Sequence, residues 1–157
     1  MTHFMPYEID QSNKIEFGRK PTALALTNDH DYTVLIPVKE RGLAFGALAD
    51  HDDRKSAMLM LFSAALYFVV RELPLGATVT IDTEYTGWER YIRNILLQWL
   101  HQERPDIVAE HLVFQPVGKS SRAHKNALAA HRGDMSADRI LRADDLVTQI
   151  IGSKKAK

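Results

Sequence analysis

The chain has 157 residues, with 20 Lys+Arg against 20 Asp+Glu and no cysteine. That length suits one domain with a core of its own, and the lack of cysteine excludes disulfides, thiolate catalysis and Cys-ligated zinc. A formal net charge of zero gives no global pull toward nucleic acid or an anionic membrane, so any such affinity must come from a local patch.

Residues 1–20 are polar and punctuated by Pro6 and Gly18, and they read as an N-terminal arm. Met1–Asp10 lacks the basic start and apolar stretch of a signal peptide. Three strand-like runs follow: Thr22–Thr27, Tyr32–Val38 and Leu43–Ala49. The turn-rich Asn28-Asp29-His30-Asp31 and the pair Arg41-Gly42 separate them, which predicts an antiparallel meander. Pro37 suits an edge or a bulge of such a sheet.

Asp52-Asp53 is a good helix cap, and the spacing predicts a helix over Arg54–Leu73. This helix is apolar on nearly every side, which implies cover on more than one face. Its run Ala57–Val70 is too short to span a bilayer. A soluble, cytoplasmic protein without membrane contact is the expectation.

Ala77–Tyr85 alternates as a strand. Thr86-Gly87-Trp88-Glu89 matches a capping box opening a helix to Gln102, with Trp88, Ile92, Ile95, Leu96 and Trp99 on its apolar stripe. His111–Val117 reads as a short strand. Ser120 or Ser121 caps a helix to Arg132, which Gly133 stops. Ser136–Ile151 reads as a last helix before a loose tail, Gly152–Lys157. The order is β-β-β-α-β-α-β-α-α, and the strand–helix alternation in its second half implies parallel pairing there.

That order resembles the ribonuclease H-like superfamily, and two local motifs carry the resemblance further. Ile81-Asp82-Thr83-Glu84-Tyr85 resembles the family's Thr-Asp-Ser-Gln-Tyr signature at the end of the fourth strand. Asp52-Asp53-Arg54-Lys55-Ser56-Ala57-Met58 resembles its Asn-Asn-Arg-x-Glu-x-x entry into the first helix. The resemblance covers residues 21–133. It implies an α/β fold with a mixed five-stranded sheet, an antiparallel three-strand meander plus parallel strands, and helices packed on it. Residues 1–20 would be an added arm and 134–157 a C-terminal helix and tail.

The resemblance also implies chemistry. The family holds two divalent cations on clustered carboxylates, where they activate a water and stabilise the leaving oxygen of a phosphodiester. Asp82 matches the fourth-strand aspartate. The first-strand position falls on Asn28 with Asp29 beside it, the helix glutamate falls on Ser56, and Asn126–Ala130 holds no carboxylate. These departures imply a degenerate metal site in a protein of nucleic-acid metabolism that works by binding nucleic acid or a nucleic-acid-processing partner. The alternative is an active Mg2+- or Mn2+-dependent nuclease with rearranged ligands. Asp82, Asp29, Asp53 and Glu84 are then the catalytic candidates, with Asp82 and Asp29 as metal ligands. A third reading is an interaction scaffold, including a homodimer.

Other features carry weaker signals. Asp29 and Asp31 suit turn hydrogen bonding, and Asp50, Asp52 and Asp53 suit helix capping. Lys119, Arg122, Lys125 and Arg132 lie in a stretch without acids, and Arg90 and Arg93 extend it. Such a patch neutralises the phosphates of an RNA–DNA hybrid or duplex. Trp88 and Trp99 lie on the apolar stripe and read as core more than as stacking platforms. His124 and His131 stand two helical turns apart, which is not a zinc spacing.

Overall fold

The structure is a computed structural model that describes residues 6–15, 19–49 and 53–155. Among the described residues the chain forms an α/β fold with a six-stranded mixed sheet and five α-helices.

The first strand, β1 (Tyr7–Ser12), lies inside the segment expected to be an arm. It pairs antiparallel with β2 (Thr22–Thr27), which pairs antiparallel with β3 (Tyr32–Ile36). The meander therefore exists, but one strand earlier than the sequence implies. Leu43–Ala49 is not its third strand: it belongs to helix α1 (Val38–Ala49). Pro37 sits just before this helix and accepts the Arg41 amide in its first turn at 2.9 Å, a position that proline tolerates well. Lys39, Glu40 and Arg41 continue the turn as good helix formers. Ala44 and Leu48 are buried, and Arg41 is buried with its guanidinium donating to the Lys20 carbonyl and to Thr22 Oγ1, both at 2.8 Å.

Helix α2 (Arg54–Val70) has the expected start. Asp53 caps it, accepting the Ser56 amide at 2.8 Å. Ala57, Leu59, Leu61, Phe62 and the whole run Ser63–Val70 are buried, because α2 packs on β2 and β3 and is flanked by α1, α3 and α5. Each large side chain in it contributes roughly 1.5–3 kcal/mol by leaving water. Asp50, His51 and Asp52 lie outside the described residues.

Strand β4 (Val79–Ile81) runs parallel to β1, and β5 (Leu112–Phe114) runs parallel to β4. Between them lies α3 (Glu89–Glu103). The expected capping box is shifted: Thr86 does not cap this helix, and Glu89 Oε2 accepts the Gly87 amide at 2.9 Å. Trp99 is buried and Trp88 half-buried with the Lys55 ammonium 4.5 Å from its ring. Helix α4 (Arg122–Arg132) starts on Ser121 and stops at Gly133, which takes the left-handed conformation at φ 82°.

Ser136–Ile151 is not one helix. Arg139–Ile140 forms β6, parallel to β3, and α5 (Ala143–Lys155) follows. The Asp138 carboxylate accepts the Thr33 amide at 2.8 Å and holds this short edge strand in place. Glu40 of α1 accepts the first amide of α5 at 3.0 Å. The strand order is β5-β4-β1-β2-β3-β6, so the sheet has six strands rather than five and runs through all three expected segments. Among the described residues no helix is long and apolar enough to cross a membrane.

Candidate metal centre

Two adjacent parallel strands bring two acids side by side. Ile9 pairs with Ile81, and the Asp82 amide extends the ladder by donating to the Ile9 carbonyl at 2.9 Å. Asp10 and Asp82 therefore stand together near the carboxyl end of β4, where ligands bind in open α/β sheets. Glu84, two residues on, completes a group. One carboxylate oxygen from each of Asp10, Asp82 and Glu84 lies within 4.8 Å of the others.

Neighbouring groups hold these carboxylates in position. Asp10 is 4% exposed. Its Oδ1 accepts the Gln11 amide at 2.8 Å, and its Oδ2 lies 2.9 Å from His124 Nδ1. A carboxylate can only accept, so the proton of this bond belongs on Nδ1, leaving Nε2 on the far side of the ring. Asp82 Oδ1 accepts the Val117 amide at 2.7 Å, which ties the loop after β5 to the end of β4. Burial pushes the Asp10 carboxyl above its usual range, against the opposing bonds from Gln11 and His124. Glu84 is pushed up to about 8, by burial first and then by its hydrogen bond to Asp82 and repulsion from Asp82 and Asp10. Carboxyl groups thus crowd a half-buried place, and a cation there would relieve their repulsion. The donors are all hard carboxylate oxygens, the set that suits Mg2+ or Mn2+. The three groups could hold a metal ion.

Helix α4 delivers His124. Its buried face is Ala123, Ala127 and Ala130, and it lies across β1 and β2. Asp10 pairs with Ala25, so that side of the sheet presents a small residue beside the acid. Alanine against alanine allows close approach, and the first turn of α4 then reaches Asp10. Ser121 fixes the entry: its Oγ accepts the Ala123 amide at 3.0 Å and donates to Glu8 Oε1 at 3.0 Å.

Of the sequence candidates, Asp82 and Glu84 are brought together. Asp29 is exposed in the β2–β3 turn and is not part of the converging group. Asp53 caps α2, and the Ser56 amide holds its carboxyl below the usual range. Asn28 is not at the first-strand position, because Thr22–Thr27 is the second strand. Its carbonyl accepts from Arg122, which also pairs with Asp31 at 2.7 Å. Arg122 thus ties α4 to the β2–β3 turn. Arg93 lies over Phe114 with its guanidinium carbon 5.3 Å from the ring centroid, and its buried Nε has no partner among the described residues. Arg90, Lys119, Lys125 and Arg132 are exposed.

Sequence reasoning missed Asp10 and His124. The signal for Asp10 was the alternation Tyr7, Ile9 against Glu8, Asp10, which marks a strand with one polar face. Nothing in the sequence paired His124 with it. No family model matches the chain, and neither a curated protein nor a solved structure does.

Proposed function

We propose that the chain is a metal-dependent phosphodiester hydrolase acting on nucleic acid, with a ribonuclease H-like arrangement. The supporting topology is an antiparallel β1–β2–β3 meander, then two helices, α1 and α2, then β4 parallel to β1, helix α3, and β5 parallel to β4. The single observation that carries the reading is the convergence of Asp10, Asp82 and Glu84 at neighbouring strand ends. The degenerate-site expectation rested on taking Thr22–Thr27 as the first strand, on Ser56 in place of a helix glutamate and on the acid-free Asn126–Ala130. With Tyr7–Ser12 as the first strand, its acid is Asp10, which removes the first of these departures and leaves the other two.

Asp10, Asp82 and Glu84 would hold Mg2+ or Mn2+. Such an ion, when bound, activates a water and stabilises charge on the leaving oxygen. The remaining residues position this group. The Gln11 amide and His124 fix the Asp10 carboxylate, and the Val117 amide fixes Asp82. His124 Nε2, on the ring edge away from Asp10, is the group suited to take or give a proton. Lys119 lies two residues beyond Val117, within roughly 7 Å of chain, and is exposed. With Lys125 on the next helix it supplies positive charge for the phosphates flanking the cleaved bond.

The test is hydrolysis of end-labelled RNA–DNA hybrid, RNA duplex, DNA duplex and single strands, with Mg2+, Mn2+ or EDTA. Metal-dependent cleavage of at least one of them, abolished in Asp82→Asn and Asp10→Asn, is the expected result. Absence of cleavage of every substrate, or cleavage that survives both substitutions, overturns the reading.

A further inference from the structure

The ribonuclease H-like resemblance implies two cations about 4 Å apart. The residues present fit one cation well and a pair poorly. We infer that this centre binds a single divalent cation, with His124 Nδ1 held on the Asp10 oxygen that a second would share. The inference rests on the metal-centre reading above and narrows it.

Charge is the first argument. Three carboxylates converge among the described residues, supplying at most three negative charges. Helix α2, which the resemblance expects to add a glutamate, reads Arg-Lys-Ser-Ala-Met-Leu-Met over 54–60 and holds no acid anywhere. Helix α4, expected to add another acid, has none in Arg122–Arg132. Two dications would leave this partly buried place with net positive charge. At about 4 Å, their mutual repulsion is severe when the screening dielectric is low. One dication leaves a single negative charge and brings no ion–ion repulsion.

Geometry is the second argument. A shared carboxylate must offer one oxygen to each cation. Asp10, the most buried of the three, has Oδ1 on the Gln11 amide and Oδ2 on His124 Nδ1. Asp82 has Oδ1 on the Val117 amide. The Asp10 oxygen that a second ion would share already faces the His124 ring nitrogen.

Titration of the full chain with Mn2+, followed by the electron paramagnetic resonance signal of the free ion, reads the stoichiometry directly. The expected result is one tightly held equivalent, lost in Asp82→Asn, with no spin–spin broadening of the bound signal. His124→Asp restores a fourth carboxylate at a partly exposed position and is expected to raise the stoichiometry to two, with broadening. Two equivalents in the unaltered chain would overturn this inference while leaving the metal centre standing, and no bound equivalent would overturn both. One equivalent in a folded His124→Asp variant would show that missing charge does not limit the site and would also overturn it.

Discussion

Replacing Glu84 by Gln tests the electrostatics of the centre without metal. The Glu84 carboxyl has an ordinary value of 4.5 and stands at about 8 in the folded chain, so the native state binds a proton that the unfolded state has released across that window. Stability then falls as pH rises from about 4.5 to about 8. Full conversion at about 1.4 kcal/mol per unit would give close to 5 kcal/mol. Glu84 is only half-buried, and solvent screening reduces that to about 2 kcal/mol. Glu84→Gln keeps the shape, carries no charge and escapes this loss. Urea unfolding in EDTA should therefore find the two proteins alike near pH 4.5 and the variant about 2 kcal/mol more stable near pH 8. Added Mn2+ should reverse the order at pH 8 by stabilising only the unaltered chain. Parallel stability curves from pH 4.5 to 8 would refute the argument that crowded carboxylates raise Glu84.

Gln11 is 8% exposed, and its side-chain Nε2 and Oε1 have no partner among the described residues. Gln11→Met should raise stability by about 1–2 kcal/mol in urea unfolding, because it removes an unsatisfied amide at nearly constant volume. Ala127→Leu should cost about 1–3 kcal/mol, since α4 lies close on the sheet and has no room for three more carbons. The same variant should weaken hydrolysis by shifting His124. Ser121→Ala removes the α4 cap and its bond to Glu8 and should lower the thermal midpoint by the equivalent of about 1 kcal/mol.

Helices were legible where the signals were local. Asp53 capping α2, Ser121 opening α4 and Gly133 closing it all follow from short-range chemistry, and the apolar run of α2 from burial on several sides. Strands were harder, for reasons tied to the site. Tyr7–Ser12 carries Glu8, Asp10 and Gln11 in the middle of a sheet, so its hydrophobic signal is weak. Leu43–Ala49 misled in the opposite sense: Gly42 and Gly46 look like turn residues, yet α1 accommodates both on its exposed face. Arg139–Ile140 is too short to show a period at all. At the centre, Asp82 and Glu84 were legible from a local motif. Asp10 and His124 were not, because they are brought together across 114 positions by the packing of α4 on β1.

The account stands on Asp10, Asp82 and Glu84 forming one cation site. Crystals soaked in Mn2+ and measured above and below the manganese absorption edge test this directly. The account predicts an anomalous peak within carboxylate-ligand distance of all three side chains, absent from Asp82→Asn crystals. A map with no peak there at saturating Mn2+, or with its peak at Asp29 or Asp53 instead, would contradict it.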